Sequence, residues 1–181
     1  MSTPAKFNAG AKWLHWLVAF FVILMLIFGR TLESLPLEER EQIIMGHSGL
    51  GTLVLILMLI RLLWRWTHEP PGAVETMSDL QTKLSTIVHW ALYVLLILQP
   101  IFGILQAAYL TDYEVMAFGA INYSGLMPDD ADMARVFHIA HSINATVLSL
   151  LVLGHFGAAL YHHFVQKDVV LKRMLPFGRV D

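Results

Sequence analysis

The stretch MARVFHIAHSINATVLSLLVLGHFGAALYHHF, residues 133–164, holds five histidines in an otherwise apolar run. A bilayer is crossed by roughly 20 consecutive apolar residues in a helix, so the length alone makes this a membrane span. Imidazoles are costly in hydrocarbon and face a bundle interior or a cavity when they occur there. At about 100° and 1.5 Å per residue, the step from His141 to His155 returns to within roughly 40° of one face, about 21 Å further along the axis. His138 lies roughly 100° away from the face of His155. One face of this helix therefore offers an imidazole in each leaflet, and the rest of the fold must supply their partners.

Composition agrees with a lipid solvent. The chain is 56% hydrophobic and 14% charged, against about 25% charged in soluble domains. Three further stretches are long and apolar enough to span, about 11–29, 46–66 and 85–110, and the fourth runs over about 134–165. The reading is a single all-α domain over 1–181, an integral membrane four-helix bundle with both termini inside. The first span is not a signal peptide, because it runs into FGRTLES with no small-residue cleavage site. Pro100 inside the third span should kink it by removing a hydrogen bond. The connection at about 111–133 is long for a helix–helix loop, and its apolar middle, VMAFGAINYSGLM, suits a cap over the outer end of the bundle.

Orientation follows from basic residues. Lys6, Lys12, Arg61, Arg65, Lys83, Lys167, Lys172, Arg173 and Arg179 fall on one side. The other side has only Arg30, Arg40 and Arg135, with nine acids: Glu33, Glu38, Glu39, Glu41, Asp112, Glu114, Asp129, Asp130 and Asp132. The first side is cytoplasmic, and Trp13, Trp16, Trp64, Trp66 and Trp90 sit near it as interfacial anchors. A net charge of −2 argues against nucleic acid as a partner. With no cysteine, disulfides, thiolate-held iron–sulfur clusters and thioether-linked haem are excluded. No glycine fingerprint for a dinucleotide and no phosphate loop occurs, so a redox cofactor must be held by nitrogen or oxygen.

Depth pairs the histidines. His47 opens the second span near the outer face, level with His141; His15 opens the first near the inner face, level with His155. Two points with two neutral imidazoles each fit bis-histidine b-type haem, whereas zinc needs four ligands at one point. Glycines flank these positions: Gly46, Gly49 and Gly51 near His47, and Gly154 and Gly157 beside His155. They allow a flat macrocycle to approach the backbone, although small residues also serve as plain helix contacts. Taken singly, His15 reads as interfacial and His47 as an end-of-helix residue; it is the four at matched depths that point to two haems. His89 is the rival inner ligand. His162, seven residues beyond His155 and about 20° from its face, is either a snorkelling residue or a donor to a haem propionate or quinone oxygen. His138 is a surface residue or a propionate donor, and His68 and His163 are interfacial.

These motifs resemble the bacterial cytochrome b561 family, itself similar to the cytochrome b subunits of nickel hydrogenases and formate dehydrogenases. The likeness runs over nearly the whole chain: K-W-L-H-W, G-H-S-G-L-G, R-L-L-W-R-W, H-W-A-L-Y-x-L-L-I-L-Q-P, H-x13-H-x6-H-H and the tail K-D-x-x-L-x-R-M-L-P. The resemblance implies a multi-pass protein of the bacterial inner membrane with two haem b groups on His15, His47, His141 and His155. One branch oxidises superoxide outside the membrane and reduces ubiquinone, so superoxide and quinone are the implied substrates. Screening confines the outer acids to about 8–10 Å, so Arg30, Arg40 and Arg135 can form a local basic patch; Arg30 with Arg135 is the expected anion entrance, with quinone met on the inner side near His162. The alternative is an electron conduit that docks a partner dehydrogenase or hydrogenase. A haem-free metal or proton carrier is the third reading, and it predicts a colourless protein.

Overall fold

A computed structural model describes residues 6–177 of the chain. Arg179, counted above among the inner basic residues, lies outside the described residues, as do the side chains of Glu33, Glu38 and Glu41 on the outer side. The chain is mostly helical: α1 Ala9–Phe28, a 3-10 turn Gly29–Ser34, α2 Leu37–Thr67, α3 Asp79–Ala108, a hairpin of β1 Met116–Ala117 and β2 Ile121–Asn122, α4 Ala131–Tyr161, a π-helical turn His162–Gln166 and the short α5 Val170–Met174. Four helices among the described residues are long and apolar enough to cross a membrane, over 9–32, 43–67, 79–108 and 131–166.

Helix starts follow local chemistry. Asn8 caps α1 by accepting from the Ala11 N–H at 2.9 Å, and the Asp130 carboxylate accepts from the N–H groups of Asp132 and Met133 at the start of α4. Ser78 and Gln81 form a reciprocal capping box, which starts α3 six residues ahead of its apolar run. The same happens at α2: LEEREQ is built of good helix formers, so the helix begins at Leu37 and projects beyond the apolar part. α3 passes through the buried Pro100 as one helix.

The outer connection folds over the end of α2. Phe118 (φ 56°) and Gly119 (φ 65°) both take left-handed backbone in the hairpin turn, the geometry that matches strand twist. A phenylalanine there is costly, and its surroundings explain it. Phe118 lies against Gly49, where a Cβ would meet its ring and its backbone nitrogen at 3.4 Å. The Ser48 hydroxyl donates to the Met116 carbonyl at 2.6 Å, and Ala117 is fully buried.

α1 packs on α2, α2 on α3 and, most extensively, α3 on α4, whereas the backbone of α4 makes few approaches to α1 or α2. The core is a layer of Val18, Val22, Leu57, Met58, Leu96 and Leu148 at mid-depth. Outward-facing Phe20, Leu63, Leu150 and Leu153 are exposed, which suits faces that meet lipid rather than water.

Candidate functional site

At the outer level, α2 contributes His47 and α4 contributes His141, with ring centroids 6.1 Å apart and planes at 62°. His141 Nδ1 donates to the Gln99 carbonyl at 2.9 Å, a bond that sets the ring's orientation and its tautomer. Asn144, buried one turn beyond, donates to both the Gln99 side-chain oxygen and the Leu95 carbonyl. Two glycines wall the pair: a Cβ on Gly29 would stand 3.1 Å from His47 Cε1, and one on Gly103 3.2 Å from His141 Cε1. Beside the pair is a cavity of about 490 Å³, reached by Arg30, Arg40, His138, Tyr113 and Tyr123 as well as both imidazoles. That volume lies in the range of cofactor and ligand sites, roughly 300–1,000 Å³.

At the inner level, His15 of α1 and His155 of α4 repeat the arrangement, with centroids 6.1 Å apart and planes at 69°. His15 Nδ1 is buried without a hydrogen-bond partner, an exception among buried polar atoms that asks for a reason. His89 packs edge-on to His155 at 5.3 Å and donates through Nδ1 to the Ser85 carbonyl at 2.6 Å.

These donors suit a planar metal macrocycle. Imidazoles bound on opposite sides of one metal at roughly 2.0–2.1 Å per bond have ring centres a little over 6 Å apart. Both cross-helix pairs meet that spacing, and the shorter His89–His155 contact does not. Each pair joins α4 to a helix, α1 or α2, that its backbone approaches at few points. Among the described residues no three His, Cys, Asp or Glu side chains converge on a metal-sized point. An ion held by one pair must therefore bring further donors with it, as a porphyrin does.

Residues 6–177 match the model of the prokaryotic cytochrome b561 family. The chain belongs to that family. It is 32% identical over 174 residues to "Probable superoxide oxidase CybB" of Yersinia pestis, covering 92% of this chain and 93% of that protein. It is 30% identical to "Cytochrome b561 homolog 2" of Escherichia coli K12, covering 99% and 96%, and 27% identical to "Cytochrome b561 homolog 1" of the same strain, covering 94% and 97%. Cytochrome b561 proteins are haem b membrane cytochromes that transfer electrons, so this is a multi-pass bacterial membrane protein with that chemistry.

Several positions in this cytochrome b561 differ from expectation. Gly49 docks Phe118, a contact not expected from its position beside His47. Gly154 and Gly157 do not differ: a Cβ on either would meet nothing within 4 Å, the open space that close approach of a flat group requires. Arg30 lines the outer cavity, but Arg135 is exposed and does not; Arg40 is there instead. The reason is angular: Arg135 stands six positions before His141, about 120° away around the helix. Arg40 stands seven before His47, roughly 20° away once α2 is seen to start at Leu37.

His162 is buried, and its Nδ1 donates to Asp168 at 2.5 Å. Burial pushes the Asp168 carboxyl up, but hydrogen bonds from His162, the Val170 N–H and Thr76 outweigh it and hold the group below its usual range. The same end of the bundle is laced by Lys12 and Trp16, which donate to the carbonyls of Leu175 and Met174.

Proposed function

We propose that this cytochrome takes electrons from superoxide on the outer side of the bacterial inner membrane and delivers them to ubiquinone. His47 and His141 would hold the iron of an outer haem b, and His15 and His155 that of an inner one. The observation that carries the reading is the pair of equal 6.1 Å imidazole separations, each between α4 and a different helix. When bound, haem iron supplies one-electron exchange. The residues do the rest: the Gln99 carbonyl orients His141, Gly29 and Gly103 leave room for the outer rings, and the Met58–Leu148 layer keeps water out between the levels.

Two superoxide ions each lose one electron and leave as dioxygen, while one ubiquinone takes both electrons and two protons to become ubiquinol. Arg30 and Arg40 on the outer cavity supply the positive edge that an anion needs, and a relative named as a superoxide oxidase supports the substrate. Quinone reduction belongs on the inner side near His162, whose ring Asp168 holds in place. The nine-to-three division of basic residues supports cytoplasmic termini.

A second reading, an electron conduit for a soluble dehydrogenase or hydrogenase, is favoured by the exposed acids of the outer connection, Asp112, Glu114, Asp129, Asp130 and Asp132. Stopped-flow mixing of the purified oxidised protein with superoxide, with and without ubiquinone, decides between them. Rapid haem reduction followed by quinone-dependent turnover is expected; a spectrum that changes no faster than with superoxide dismutase present refutes the superoxide reading and leaves the conduit.

A further inference from the structure

Each of the four spans carries a pair of inward positions 14 residues apart: His15 and Gly29, His47 and Arg61, His89 and Gly103, His141 and His155. That step keeps one helix face to within roughly 40°. At the outer level the two histidines are flanked by two glycines. At the inner level they are flanked by Arg61 and His89.

Arg61 is partly buried, four residues before Arg65 on α2. Their guanidinium carbons lie 5.5 Å and 5.7 Å from the centre of the buried Tyr93 ring, and Arg65 also covers Trp90 at 5.4 Å. Arg61 is within electrostatic reach of His15, His89 and His155. Among the described residues neither arginine has a carboxylate within 4.0 Å. Two like charges therefore share one aromatic ring at the inner end of an apolar bundle with no counter-ion among the described residues, an arrangement that cation–π contacts of roughly 1–2 kcal/mol do not offset. Ionisable groups in such places pair with something, and here the complement is a dianion beside His15 and His155.

We propose that Arg61 and Arg65 clamp the two propionates of the inner haem. The assignment rests on the di-haem reading above. Two guanidinium forks match two carboxylates in charge and in planar, bidentate geometry. Arg65, one turn nearer the cytoplasmic end of α2, places the outer of the two carboxylates toward water. Tyr93 and Trp90 hold the forks in position from α3.

The test is redox titration of the purified holoprotein, combined with infrared redox-difference spectra of protein whose haem propionates carry a carbon-13 label. The inner component is identified as the one absent from His155→Ala. In Arg61→Gln/Arg65→Gln the lost positive charge favours ferric iron. We expect the inner haem's reduction equilibrium to fall about tenfold or more, or about 59 mV for a one-electron couple, with displaced propionate bands and an unmoved outer component. Arg61→Lys/Arg65→Lys keeps charge without the fork, so it should hold the potential and still displace the bands; it also serves if the glutamine variant fails to accumulate.

Parent propionate bands in either variant overturn the clamp, including the case in which the arginines hold an anionic lipid headgroup. An equal shift of both haems also overturns it. If His155→Ala retains both haems, the ligand reading fails instead, and the two failures remain distinguishable.

Discussion

Gly103 faces the outer imidazole from α3, and its substitution tests whether His141 stands where a metal ligand must. A Cβ at this position would lie 3.2 Å from Cε1 and 3.4 Å from Nδ1 of His141, where ordinary contact starts at 3.4 Å. Gly103→Ala therefore asks the ring to retreat by roughly 0.2 Å, inside the roughly 0.5 Å that a functional site tolerates. The Nδ1–H···O bond to Gln99 would lengthen from 2.9 Å and stay within the usual limit of about 3.2 Å. Alanine also removes the cost of glycine in a helix, up to about 1 kcal/mol. This variant should keep two haems per chain, melt slightly higher and show a small shift of one haem's spectrum.

Gly103→Val is different in kind. Its two Cγ atoms reach about 1.5 Å further, into the space of the ring, so the imidazole must turn away and lose its Gln99 bond together with its alignment. Loss of an orienting partner alone weakens metal binding about 10–100-fold, or roughly 1.4–2.7 kcal/mol, and displacement of the ligand adds to it. The expected result is one haem per chain by pyridine haemochrome assay, with the inner spectrum unchanged. Two haems with parent spectra in Gly103→Val would refute the placement of His141 as a ligand.

His47→Ala and His141→Ala should each lower the haem count from two to one and abolish the same spectral component, while His15→Ala and His155→Ala abolish the other; loss of a component in His89→Ala but not in His15→Ala would reassign the inner pair. Asn144→Leu leaves the Gln99 amide without its partner, at about 0.6 and up to 1.7 kcal/mol for a hydrogen bond between membrane helices; differential scanning should find a lower melting temperature, and the outer haem's absorption should shift while the inner stays. Asp168 has a folded pKa below its unfolded value of about 3.9, so its contribution is complete above about pH 4 and disappears as pH falls through the folded value. The parent protein should therefore lose thermal stability in acid more steeply than Asp168→Asn, and parallel curves for the two proteins would show that the carboxylate contributes nothing.

What could be read in advance was whatever repeats along a helix. Four apolar runs announce four spans because length and composition alone decide transfer into lipid, and His141 with His155 announces a two-level interior because 14 residues nearly close four turns. The misses share one cause. Glycine in a membrane helix has an ordinary use as a helix contact, so Gly29 and Gly103 carried no signal singly. Counting 14 forward from His15 and from His89 reaches both, and counting 14 forward from His47 reaches Arg61. Arg135 was placed at the cavity by depth without its angle. Arg40 belongs to the expected basic patch, but a second span counted from 46 gives it no face, and only a helix start at Leu37 puts it on the His47 face. Nothing in the local sequence around Gly49 reveals that Phe118, 69 positions away, turns back onto it.

Periodicity thus finds what faces inward, but only the folded chain says what each inward residue meets. The two levels make the difference plain. They are equal in spacing and in imidazole separation, yet one is walled by glycines beside an open cavity and the other by two cations stacked on Tyr93. An anion from outside would meet Arg30 and Arg40 at the rim of the first level's cavity, beside the imidazole pair that has the closest backbone around it. The second level carries its positive charge inside the bundle, next to the inner ligand pair. A one-electron chain between such levels runs toward the site where positive charge favours the reduced form, which is the cytoplasmic direction that the proposed quinone reduction requires.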